Sequence, residues 1–95
     1  MYSKIYRITC KPGQSDAMLA HYDAEVVPEI KASELHIGHQ MAQTAPEEWA
    51  LISNYVSESA AIEAQQMVQD IIAPMVEKFG IKLELVTQGD VIRNF

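Results

Sequence analysis

Two passes of the same strand–helix–strand plan, 46 positions apart, leave this chain few ways to fold. Pro28 falls on Pro74, Ile30 on Val76, Leu35 on Ile81, Ile37 on Leu83 and Ile5 on Leu51. Identity between the halves is sparse, so the match is one of architecture and is no evidence of gene duplication. In the first pass, Ser3 to Cys10 is rich in β-branched and aromatic residues and stops at Pro12-Gly13, a strand followed by a turn. Ser15 is placed to cap a helix, with Asp16 where the helix dipole favours negative charge. Leu19, Tyr22, Val26 and Ile30 then recur at helical spacing as one apolar stripe. Pro28 lacks an amide proton, so the helix must bend or restart there.

The second strand is expected over Leu35 to Gln43 and the third over Trp49 to Val56, joined by the polar turn Ala45-Pro46-Glu47-Glu48. Ser57 caps a second helix whose stripe runs through Ala60, Ala64, Met67, Val68, Ile71, Ile72, Met75 and Phe79. Pro74 is expected to break this helix near its end, and Gly80 to terminate it. Ile81, Leu83 and Leu85 alternate with Lys82 and Glu84 as a fourth strand, after which Gly89-Asp90 opens a tail. The order β-α-β-β-α-β of two interlocked split units is the ferredoxin-like fold, α+β in class. It is a single domain over residues 1–95, a four-stranded antiparallel sheet with both helices on one face.

Charge and composition narrow the function. Thirteen acidic against seven basic residues give a net charge of −6, which repels phosphate backbones and anionic lipid, so neither nucleic acid nor a membrane surface is an expected partner. No apolar run approaches the ~20 residues of a membrane span, and the first residues lack the apolar core of a signal peptide. A lone cysteine, Cys10, supports neither an intramolecular disulfide nor a CxxC metal site, so a reduced, cytoplasmic location is the expectation. Other activities of this fold need motifs that are missing: the CxxC loop of metallochaperones, the basic aromatic strands of RNA-recognition modules, the glycine-rich anion loop of acylphosphatases.

Two helices cover one face of such a sheet, and the other face should then be polar. In the central strands it is not. Ile5 opposes Tyr6 and Ile8, while Ala50, Ile52 and Val56 oppose Trp49, Leu51 and Tyr55. Burying an Ile or Val side chain is worth about 1.5–3 kcal/mol, and a domain this small has little stability to spare. A second copy packed face to face on the sheet removes the problem, so a homodimer is expected.

The plan and the run Trp49-Ala-Leu-Ile-Ser-Asn-Tyr55-Val-Ser57-Glu-Ser-Ala60-Ala61 resemble the dimeric α/β-barrel superfamily, most nearly its antibiotic-biosynthesis-monooxygenase-like branch. There too a strand ends in an aromatic, a serine follows two residues later, and an alanine-rich helix begins. The kink Val27-Pro28-Glu29-Ile30 leading to a strand with a glycine, Gly38, is similar as well. Many members carry a carboxylate two residues before the strand-ending aromatic, where this chain has Ser53, and a histidine where it has Gln65-Gln66. Haem-degrading relatives use a histidine of the second helix, and none of His21, His36 or His39 lies there. What the resemblance implies is a barrel-like homodimer that oxidises a small aromatic molecule with dioxygen and without a bound cofactor.

Among the polar residues, His39 shares a strand face with Ile37 and Met41, which the offset matches to the helix-facing Ile81, Leu83 and Leu85. It therefore points between sheet and helices, and it is the candidate catalytic base. Tyr22, on the inner stripe of the first helix, Tyr55, at the end of the third strand, and Arg7, central in the first, are the candidate substrate-binding residues. Arg7 must meet an anion or solvent, since a guanidinium keeps its charge, and Glu84 or a partner subunit would serve as well as a substrate. His21 should face solvent near Glu25, and His36 should alternate away from the helices toward the dimer contact. No second histidine or cysteine at ligand spacing supports a metal site. Two readings stay open: an enzyme binding a small apolar or aromatic molecule, or a non-catalytic ligand-binding or assembly module of the same fold. A cavity of roughly 300 Å³ beside His39 favours the first, a solid core the second.

Overall fold

The computed structural model describes all 95 residues. Strand β1 (Tyr2–Thr9) leads to helix α1 (Ser15–His21), a π-helical turn (Tyr22–Val26) and helix α2 (Val27–Ala32). The hairpin β2 (His36–Ala45) and β3 (Glu48–Tyr55) follows, then α3 (Glu58–Glu63), α4 (Gln65–Phe79) and β4 (Lys82–Asp90). The sheet is antiparallel throughout in the order β2-β3-β1-β4. This is the ferredoxin-like arrangement, and its two central strands are β1 and β3.

The helix starts differ in chemistry. Ser57 caps α3, its Oγ accepting from the Ala60 amide at 3.1 Å. Ser15 does not cap α1; its hydroxyl donates to the Pro46 carbonyl at 2.5 Å and ties the helix start to the tip of the β2–β3 hairpin. Pro28 restarts the first helical arm as expected, at the start of α2. The turn before it widens: the Val27 amide reaches back to the Tyr22 carbonyl, five residues away, so the missing amide of Pro28 falls at a joint between two helical segments. Pro74 does not break the second arm. Helix α4 continues through it to Phe79, because Pro74 lies on the exposed side, where water can serve the carbonyl that loses its donor. The interruption falls instead at Ala64, between α3 and α4. Gly80 ends α4 at φ 63°, the left-handed conformation that a side chain disfavours.

Strand β4 runs to Asp90, well past Leu85, since β1 offers partners along its whole length, Tyr2 opposite Asp90 included. An irregularity in the β1–β4 ladder admits Val86 as an extra residue. A second irregularity matters more for function. In β2, His36 stands opposite Tyr55 and Gly38 opposite Asn54, which leaves Ile37 bulged out of the ladder.

The core lies between sheet and helices. Ile8, Trp49 and Leu51 of the sheet pack on Met18, Tyr22, Val26, Met75 and Phe79 of the helices, and a smaller cluster joins Tyr2 and Tyr55 to Ala60, Ala61 and Ala64. His21 packs its ring edge-on against Phe79 at 5.4 Å. On the sheet's other face Ile5 stands opposite Ile52 and Ala42 opposite Ala50, an apolar centre with no helix above it. Val56 lies beyond the end of β3, where its amide bonds to the Leu35 carbonyl, and extends that patch less than its alternation suggests.

Candidate functional site

The first helical arm does not close fully onto the edge strand β2. Between them opens a cleft of about 610 Å³. Leu19, Tyr22, Val27 and Ile30 form its helical wall, and Ile37, His39 and Met41 its strand wall. Asp23 and Lys31, both exposed, bring opposite charges to its edge. The apolar stripe thus serves two purposes: Val26 faces the core, beside the buried Met18 that the stripe did not include, whereas Leu19 and Ile30, half-buried, face the opening.

Two polar groups meet on this apolar wall. The Tyr22 hydroxyl and His39 Nε2 share a hydrogen bond, with the rings edge-to-face at 5.5 Å and 67°. Each element positions its partner for a reason visible in the chain. Register places His39 opposite Ser53, on the helix-facing side, and Tyr22 begins the widened π turn. Burial pushes the Tyr22 phenol well above the ordinary tyrosine range, with the neighbouring Asp23 charge adding to it. Burial also lowers the His39 pKa, and nearby His36 lowers it further. At neutral pH the pair is therefore a neutral phenol and a neutral imidazole. Such a pair offers a proton acceptor and a hydrogen-bond donor to a ligand hydroxyl or carbonyl.

Of the four residues singled out from sequence, the structure brings His39 and Tyr22 together at this cleft. Tyr55 is 1% exposed and sits one layer deeper, under the ring of His36 at 4.5 Å. Burial raises its pKa, while hydrogen bonding with Ser53 and Tyr6 opposes the rise. Arg7 is on the opposite face of the sheet. Its Nε and Nη2 donate to Glu48 Oε1 at 2.9 and 2.5 Å, and Thr44 donates to the other oxygen of that carboxylate at 2.9 Å. These bonds hold the Glu48 carboxyl below its usual pKa. Arg7 therefore does not join a substrate site with His39; strict alternation along β1 puts it on the same side as Ile5.

His36 is the residue whose side sequence alternation misplaced. The bulge at Ile37 turns His36 and His39 onto the same face, three positions apart, so His36 looks at the helices and not at the open face. Gly38 was the available signal, since a glycine inside a strand marks a bulge or close approach. No group of three or more His, Cys, Asp or Glu side chains is placed to hold a metal ion, and no helix is long and apolar enough to cross a membrane.

No protein-family model matches the sequence, and no curated protein is similar to it. Solved structures, by contrast, match it from end to end. A dimeric ferredoxin-like protein from an uncultured marine organism is 12% identical, with a TM-score of 0.73 over 99% of this chain and 96% of its own. A candidate antibiotic biosynthesis monooxygenase from Deinococcus radiodurans is 10% identical, with a TM-score of 0.76 over 100% and 96%. Another from Chloroflexus aurantiacus is 21% identical, with a TM-score of 0.63 over 99% and 93%. The chain has the ferredoxin-like fold that these antibiotic-biosynthesis-monooxygenase and dimeric ferredoxin-like proteins share.

Proposed function

We propose that the protein is a homodimer that binds a small apolar or aromatic molecule carrying a hydroxyl or carbonyl in the cleft beside His39. The observation that carries this reading is the His39–Tyr22 pair set on the apolar wall of a cleft of about 610 Å³, within the size range of small-molecule sites. The apolar walls supply burial energy, and the polar pair fixes orientation. The uncovered centre of the sheet at Ile5, Ala50 and Ile52 supports a second copy packed against it, as does the dimeric neighbour of the same fold.

The chemistry we assign is proton abstraction by His39 from a phenol or enol of the ligand. Neutral His39 accepts the proton, Tyr22 holds the imidazole in place, and the resulting anion is a better electron donor than its parent. The step we assign next is oxidation by dioxygen without a bound cofactor, a monooxygenation, the class of activity in the names of several neighbours of this fold: a methylene of the ligand becomes a carbonyl, one oxygen atom enters the product, and the other leaves as water. A non-catalytic ligand carrier is the second reading. It is favoured by the engagement of His39 Nε2 with Tyr22 and by the interior beneath, filled except for about 30 Å³.

Thermal-shift screening against phenols, quinones and fatty acids tests binding, and an oxygen electrode tests turnover of whatever binds. A ligand at 100 times its dissociation constant adds ~2.7 kcal/mol of stability. If no phenol or quinone raises the melting temperature, the cleft is not their site. Binding without oxygen uptake selects the carrier, and uptake unchanged in His39→Ala removes the assigned base.

A further inference from the structure

We propose that the protein binds a small zwitterion, a carboxylate with an ammonium group close by, at a second site built on Lys4 and Glu58. The inference begins with the alternation of β1. Tyr2, Lys4 and Ile8 are buried on its helix-facing side, so a lysine stands where the pattern calls for an apolar residue. Lys4 lies opposite Ser53 of β3 and Gln88 of β4, and only 7% of it is exposed. Lysine is seldom buried to this extent without a partner, because a charge taken from water costs heavily unless it is paired. Here it is unpaired. The ion pairs of the chain are Arg7–Glu48 and Lys82–Glu84, and no side-chain hydrogen bond involves Lys4. The only fully enclosed side-chain nitrogen or oxygen without a partner is His36 Nε2, so the Lys4 nitrogen, equally without one, is reached by solvent.

Solvent reaches it through an open hollow of about 330 Å³ between β1, β4 and the α3–α4 junction, within the size range of small-molecule sites. Lys4, Tyr2 and Gln88 form its sheet wall, and Glu58 and Gln65 its helical wall. None of these residues lines the His39 cleft, so the two sites stand or fall separately. A lysine stem lies along apolar surface while its ammonium reaches water, which reconciles a buried residue with an accessible nitrogen. Charge selects the guest. Lys4 calls for an anion, yet carboxylates act on the same wall: burial raises the Tyr2 pKa, and the charges of Glu58 and Asp90 raise it further. A simple anion would meet that repulsion on a chain of net charge −6. A zwitterion meets neither difficulty, its carboxylate on Lys4 and its ammonium on Glu58, which is not itself paired with Lys4. The carboxamides of Gln65 and Gln88 donate and accept, so they serve either end. Free α-amino acids have this chemistry, and the exposed Ile62 at the edge offers apolar surface to their side chains.

The test titrates isotope-labelled protein with L-alanine, L-leucine and L-glutamine in turn, at fixed pH and ionic strength, and follows the side-chain amide resonances of Gln65 and Gln88. Saturable shifts are expected with at least one of the three, while the His39 ring resonances stay still. For leucine the controls are leucinamide, which lacks the carboxylate, and 4-methylpentanoate, which lacks the ammonium. Each loses one charge-assisted contact and should bind about tenfold more weakly, or worse. Lys4→Met keeps the length of the side chain without its charge. Since it breaks no pair, it should fold at least as stably as wild type, and the shifts should vanish. Glu58→Gln, on the exposed side of α3, should weaken binding by about tenfold, and it decides the matter if Lys4→Met does not fold. Three results overturn the proposal: no saturation with any of the amino acids, equal affinity for the acid without the ammonium, or binding unchanged in either variant.

Discussion

Replacing Tyr22 with phenylalanine removes one oxygen atom from a side chain that is 7% exposed and leaves its ring packing in place. No cavity forms, so the cost is confined to the bond with His39. A stranded buried group costs about 1–3 kcal/mol, and since His39 is only half-buried and partly reached by solvent from the cleft, the lower end applies, about 1 kcal/mol. The reverse change, His39→Leu, strands the buried Tyr22 hydroxyl and costs somewhat more. In the double variant neither group remains, and much of that loss should return. The pair should therefore show a coupling of about 1 kcal/mol in a double-mutant cycle, well above the ~0.3–0.5 kcal/mol scatter of independent sites. Urea unfolding at fixed protein concentration measures it: with a slope near 2 kcal/mol per molar, Tyr22→Phe moves the midpoint down by ~0.5 M. Costs that add without coupling would show that the bond does not exist in solution, and the site as described would fail with it.

Acid should weaken the fold before carboxylates are titrated. Burial holds the pKa of both His36 and His39 below the free value, so the unfolded chain binds more protons just below pH ~6.5; stability is greatest above that value and falls as the pH drops below it. Urea midpoints taken over this fall should drop less in the His36→Phe/His39→Leu double variant than in wild type, and an equal drop would place the effect elsewhere. Gly80→Ala forces a side chain into φ 63° and its Cβ to 2.5 Å from Lys11 Cγ. Since Lys11 can swing aside, the backbone dominates, and a loss of about 1–2 kcal/mol is expected, read as a fall in melting temperature of roughly 4–8 °C per kcal/mol. Ile52→Lys puts a charge at the centre of the uncovered sheet face and should convert the dimer to monomers in sedimentation velocity without unfolding them, whereas a dimer unchanged by it would not use that face.

The element order was legible because each signal was local: the stop at Pro12-Gly13, the Ser57 cap, the long stripe ending at Phe79-Gly80. The face of His39 was also legible, since its match under the 46-residue offset, Leu85, stands opposite the helix-facing Tyr6. What escaped was tertiary or cumulative. The face of His36 depends on one extra residue in a ladder, and a period of two carries no warning of it except Gly38. The length of β4 was set by the length of its partner β1, not by its own composition. Pro74 carries the sign of a helix breaker, since a helix interior normally forbids proline, yet α4 runs on to Phe79 with Pro74 on its water-facing side. Arg7 was legible as an ion in search of a partner, but Glu48 is a diagonal neighbour across β3, which spacing along one strand does not reveal.

The claim on which the rest depends is that an aromatic hydroxyl compound seats itself against His39 and Tyr22. Titrating the protein with 1-naphthol while following the histidine ring resonances tests it directly. The account predicts saturable shifts at His39, smaller ones at His36 behind it, and none at His21 on the far side of the arm. Shifts confined to His21, or no saturation at any histidine, would contradict it.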